Sequence, residues 1–149
     1  MKLTSPKLTS PNLKLLGSYL DAWNTHDVAR VLAFFVPDSV YEDTVLAESF
    51  VGHAALRTFL EDMFRAYPDA SFELHAAFDS GNCVSWEWTM HGHFTGTGKS
   101  RLPAKGQTIA LRGASFTELR DGLIVCNRDY WDMGALMKQL GLKVGAPAT

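Results

Sequence analysis

The side chains best suited to chemistry in this chain are carboxylates set among apolar residues. Asp43 lies in Tyr41-Glu42-Asp43, with Phe34, Phe35, Val40 and Val45 close by in sequence. A carboxyl group in apolar surroundings resists ionisation, so it can both take and return a proton near neutrality. The competing expectation for Asp43 is a surface loop in which backbone N–H groups satisfy it. Asp129 and Asp132 bracket Tyr130-Trp131, and strand alternation sends the two carboxylates to opposite sides. Asp132 stands just before Met133-Gly134-Ala135 and equally suits a helix N-cap.

Other patterns carry weaker chemistry. His91-Gly92-His93 puts two imidazoles on one face of an extended segment, but Thr95, Thr97 and Lys99 follow where further ligands would be needed. No metal is expected; one imidazole should line a pocket and the other should face solvent or a partner. His53 and His75 read as a helix-opening and a strand residue. Gly96-Thr97-Gly98-Lys99-Ser100 imitates a phosphate loop without its spacing, and it lies between strands instead of opening a helix. A solvated connection or lid fits the stretch 96–106 better. Trp86-Glu87-Trp88 reads as core packing or a sheet surface that meets a partner.

The elements that must position these groups follow from periodicity. Leu13, Leu16, Leu20 and Trp23, with Tyr19 between them, recur at helical spacing after a Ser10-Pro11 start. A second short helix is expected through Val28, Val31, Leu32 and Phe35, stopped by Pro37-Asp38. Residues 40–45 read as a short extended segment. Gly52 precedes a third helix, carried by Leu56, Phe59, Leu60, Met63 and Phe64 as far as Pro68. The period then changes to 2, giving strands over 72–78, 83–94, 107–119 and 123–131. Asp121-Gly122 between two apolar runs signals a tight hairpin. A short closing helix fits 133–142, with Gly141 as its stop. Three helices followed by four strands predict an α+β fold, with N-terminal helices packed on a curved antiparallel sheet.

Composition bounds the rest. The 149 residues, 46% hydrophobic, suffice for one domain with a real core, expected over 12–142 with a tail at 143–149. Residues 1–11 hold a tandem KLTSP and are expected to be a disordered lead-in. A net charge of −2 offers no basic field for nucleic acid or an anionic membrane, so neither is expected as a partner. Cys83 and Cys126 have no paired spacing and read as reduced thiols. With no apolar run near the roughly 18–20 residues of a membrane span and no signal pattern after Met1-Lys2, the protein is expected to be cytoplasmic.

The order of these elements, with the residues they carry, resembles the nuclear transport factor 2-like superfamily, and within it the SnoaL-like polyketide cyclases and ketosteroid isomerases. Ser18–Asp27, Val31–Thr44, Gly52–Leu60, Arg120–Val125 and Tyr130–Leu142 carry the likeness. It implies a cone-shaped fold and a homodimer formed through the sheet. It also implies catalytic roles. Asp43 matches the proton-shuttling carboxylate of the isomerases, Tyr19 their oxyanion donor, and Asp132 the acid–base residue of the cyclases, with Asp129 as near competitor. Ala114 falls at the second oxyanion donor, a departure from the isomerase pattern that Arg112 or His91 could offset. Trp23, His91, Arg112, Phe116 and Trp131 are expected to contact the substrate.

Fold alone does not fix function. The leading expectation is a cofactor-independent cyclase or isomerase acting on an apolar carbonyl compound, such as a polyketide or a steroid-like skeleton. A hydrophobic-ligand-binding module without catalysis is the alternative, favoured by Ala114. An assembly domain whose pocket is filled by its own side chains comes third.

Overall fold

Ser10 opens the first helix as expected: its Oγ accepts the Leu13 N–H at 3.2 Å, and Pro11 takes the first position. The computed structural model of the protein describes residues 6–96 and 101–143; residues 1–5, 97–100 and 144–149 lie outside the described residues. The elements run α1 (Pro11–Thr25), α2 (Val28–Leu32), β1 (Phe35–Asp43), β2 (Glu48–Val51), α3 (Gly52–Ala66), β3 (Ser71–Asp79), β4 (Cys83–Phe94), β5 (Gln107–Arg120), β6 (Leu123–Trp131) and α4 (Met133–Gln139).

The strands form one mixed sheet of order β2-β1-β6-β5-β4-β3. The expectation of a purely antiparallel sheet is corrected by the β1–β6 pair, which is parallel. Two strand boundaries also differ from the periodicity. Phe35 opens β1 instead of ending α2, because Pro37 biases Val36 to extended backbone and Phe35 pairs with Ile124. Pro37 then falls in the register break between Phe35 and Val40, where no ladder N–H is needed. Strand β2 is short and mostly exposed, so no alternating pattern marks it.

Register breaks in the β1–β6, β3–β4 and β5–β6 pairings bend the sheet. Asp121 and Gly122 both adopt positive φ (53° and 75°) in the two-residue turn between β5 and β6, the geometry that suits the twist of a hairpin. The concave face receives α1 and α3 over a core that includes Leu16, Tyr19, Leu56, Leu60, Ile109 and Ile124, each at most 1% exposed. Leu8, within the lead-in, packs against that core. Gly113 pairs with Trp88, and a Cβ there would meet the indole at 2.4 Å; only glycine lets the ring lie flat across β5. On the convex face Phe78, Phe116 and Tyr130 stand exposed, the last two in edge-to-face contact. No helix among the described residues is long and apolar enough to cross a membrane.

Candidate active site

Between the helices and the concave sheet lies a cavity of about 560 Å³. Tyr19, Leu20 and Trp23 of α1, Phe59 and Met63 of α3, and Met133 and Leu136 of α4 form one side. Trp86, Trp88 and Met90 of β4, with Leu111 of β5, form the opposing floor. Into this aromatic lining project two carboxyl groups, Asp43 from β1 and Asp129 from β6. They are Cα partners across the parallel pair.

Asp129 gathers hydroxyl and amide donors. Its Oδ1 accepts from Ser115 Oγ at 2.6 Å and from Asn127 Nδ2 at 2.8 Å, and its Oδ2 accepts from the Tyr41 hydroxyl. Enclosure by protein pushes its pKa up, and the Asp43 carboxylate pushes the same way. The donated hydrogen bonds from Ser115, Tyr41 and Asn127 oppose that rise but do not cancel it. The phenols of Tyr41 and Tyr19 are also raised, first by burial and next by the nearby Asp129 charge, so both stay protonated and able to donate.

Asp43 is held differently. It is 6% exposed, and the Trp131 indole N–H spans both its oxygens at 3.1 Å. The backbone N–H groups of Val45 and Leu46 donate to Oδ1 at 3.1 and 3.0 Å. The buried carboxylate and the turn-satisfied carboxylate weighed in the sequence are thus one residue: Asp43 closes the turn after β1 and lines the cavity.

Of the residues singled out in the sequence, Tyr19, Trp23, Asp43 and Trp131 come together here. The others sit elsewhere. Asp132 caps α4, accepting the Ala135 N–H at 3.0 Å, because it falls one residue past the end of β6. His91, Arg112 and Phe116 have the outward parity of β4 and β5. His91 lies 3.3 Å from Glu73, Arg112 donates to Glu87, and Phe116 rests on Tyr130. Ala114 shares that outward parity, and the inward neighbour is Ser115, a hydrogen-bonding residue. His93 pairs with Asp69, and no cluster of three or more His, Cys, Asp or Glu among the described residues could hold a metal.

Sequence reasoning missed Tyr41, Ser115, Thr117 and Asn127, and kept Asp129 only as a competitor. The signal was parity: Ser115 and Thr117 continue the inward phase of Leu111 and Gly113, while Asn127 and Asp129 share the phase of Trp131. Polar residues in the apolar phase of a strand mark a buried network.

A family profile described as the SnoaL-like domain matches residues 16–127. The chain belongs to the SnoaL-like domain family. Among curated proteins, cyclase aurE of Calcarisporium arbuscula is 27% identical over 120 residues, covering 80% of this chain and 82% of that protein. Among solved structures, a proposed polyketide cyclase from Xanthomonas campestris pv. campestris is 27% identical with a TM-score of 0.74, covering 87% of this chain and 96% of its own. A proposed SnoaL-like polyketide cyclase from Jannaschia sp. CCS1 has a TM-score of 0.79 at 15% identity, covering 94% and 98%, a likeness of fold. The match to the SnoaL-like domain thus agrees with the resemblance to SnoaL-like proteins read from the sequence.

Proposed function

We propose that this SnoaL-like protein is a cyclase-type acid–base enzyme acting on an apolar carbonyl compound, with Asp129 as the group that moves the proton. One observation carries the reading: a carboxyl group with a raised pKa faces an aromatic cavity and is ringed by neutral donors. Asp129 removes a proton from the carbon beside a carbonyl, and the C–H electron pair flows into the enolate. Hydroxyl donors at Tyr41 and Tyr19 stabilise the developing oxygen charge, and aimed donors of this kind lower the barrier most when water is excluded. In a cyclisation the enolate carbon attacks a second carbonyl of the same chain, and Asp129 returns its proton to the new alkoxide. The proton balance closes without metal, cofactor or added water. Asp43 acts as a second carboxylate that tunes Asp129 by proximity. The similarity to cyclase aurE supports the reaction class.

The test is turnover of a panel of neutral polyketide-type and steroid-like ketones by the wild type and by Asp129→Asn. Loss of a general acid–base costs about 10²–10⁴-fold in rate. An unchanged rate in Asp129→Asn overturns the assignment. The alternative, a binding module, is favoured by how much of the cavity wall is apolar, and it predicts that a bound ligand is recovered chemically unchanged.

A homodimer through the convex sheet belongs to the same proposal. Phe78, Phe116 and Tyr130 are exposed there beside the Glu87–Arg112 and Glu118–Arg128 ion pairs, and sedimentation of the full chain reads the outcome.

A further inference from the structure

Two chains of hydrogen bonds run through the sheet to Asp129, and each begins at a tryptophan. The Trp86 indole donates to Thr117 Oγ1 at 2.9 Å, Thr117 Oγ1 donates to Asn127 Oδ1 at 2.7 Å, and Asn127 Nδ2 donates to Asp129 Oδ1 at 2.8 Å. The Trp88 indole donates to Ser115 Oγ at 2.8 Å, and Ser115 Oγ donates to Asp129 Oδ1 at 2.6 Å. Hydroxyls and amides can point either way, but an indole N–H has no acceptor form. Each tryptophan therefore obliges its hydroxyl to accept, which sends the hydroxyl proton onward. Thr117 is 2% exposed, so no bulk water offers its proton another acceptor, and the proton turns to Asn127 Oδ1. That fixes the Asn127 amide with its NH₂ toward Asp129.

We infer that Trp86 and Trp88 are positioning residues: they set the direction of both relays, so that Oδ1 of Asp129 only accepts and any proton Asp129 carries sits on Oδ2, against Tyr41. The inference rests on the proposed role of Asp129 and adds where its proton resides. It has a chemical consequence. With Oδ2 protonated, Oδ2–H donates to the Tyr41 oxygen, and the Tyr41 proton is released to point into the cavity. Taking up a proton at Asp129 thus presents a phenol donor to the bound carbonyl oxygen in the same event. The titratable groups that face Asp129 are Tyr41 and Asp43 from β1 and Tyr19 from α1.

Without the Trp86 N–H, the Thr117 hydroxyl and Asn127 amide can reverse together, offering Asn127 Oδ1 to a protonated Asp129. The experiment is a site-resolved ¹³C carboxyl titration of Asp129 by NMR in the full chain, for wild type, Trp86→Phe, Thr117→Val and the double variant. The inference predicts that each single variant moves the Asp129 midpoint upward by about half a pH unit or more, and that the double variant moves it no further than Thr117→Val alone. Trp88→Phe and Ser115→Ala form a second, independent cycle should Trp86→Phe fail to melt cooperatively. Met63→Leu, which alters the cavity wall on α3 outside the relays, leaves the midpoint in place. Additive shifts, no shift, or an equal shift in Met63→Leu overturn the inference. Turnover does not enter this readout, so loss of the proposed catalysis and loss of the relay are separately visible.

Discussion

Asp43 and Asp129 face one another across the parallel pairing of β1 with β6, which sets two carboxyl groups on one wall of an aromatic cavity. Their donors differ in kind. Asp43 takes N–H groups from its own turn and from Trp131, whereas Asp129 takes hydroxyl and amide donors from three different strands. The first arrangement anchors a loop; the second can exchange a proton with groups that reorient.

Asp129 also makes stability depend on pH. Its folded pKa is raised, so between the ordinary aspartate range and that higher value the folded state binds more protons than the unfolded one. This contribution is fully present below the ordinary range and is lost as pH rises through the folded pKa. Thermal melts from pH 4 upward should show Asp129→Asn gaining on the wild type as pH rises; a constant difference would contradict the raised pKa.

Asp132→Ala should lower stability by about 1 kcal/mol through the lost cap on α4 while leaving turnover unchanged. Measured side by side, melting and rate separate a capping residue from a catalytic one.

Trp131→Phe removes the donor that spans both oxygens of Asp43 and leaves Oδ2 without a donor among the described hydrogen bonds. A destabilisation of about 1–3 kcal/mol is expected in urea unfolding, because the buried oxygen loses its partner.

Gly113→Ala should cost about 1–3 kcal/mol, since the new methyl displaces the Trp88 ring and pulls its N–H away from Ser115. A weakened near-ultraviolet tryptophan signal would accompany the loss.

The long helices and strands β3 to β6 were legible because their apolar residues repeat cleanly: Leu13, Leu16 and Leu20 at helical spacing, and Val84, Trp86, Trp88 and Met90 at period 2. The first half of β1, interrupted by Pro37, reads as helix in the sequence. Strand β2 was not legible, because an exposed edge of four residues needs no alternation. Asp43, Tyr19 and Trp131 could be placed at a pocket by resemblance. Asp129 could not be preferred over Asp132, because alternation puts the two on opposite faces without saying which face is inward. The phase shared by Asn127, Asp129 and Trp131 brings Asp129 to the cavity, and the end of β6 at Trp131 leaves Asp132 to cap α4. His91, Arg112 and Phe116 were misplaced for a related reason, since facing is a matter of register and they hold the outward phase.

The central claim is that Asp129 holds and releases a proton inside an apolar cavity. A carboxyl-resolved NMR titration of the wild-type chain reads that property directly. The account predicts a midpoint for Asp129 clearly above the ordinary aspartate value of about 3.9, with the Tyr41 ring signals responding over the same pH range. A midpoint at or below that value, with Tyr41 silent, would contradict it.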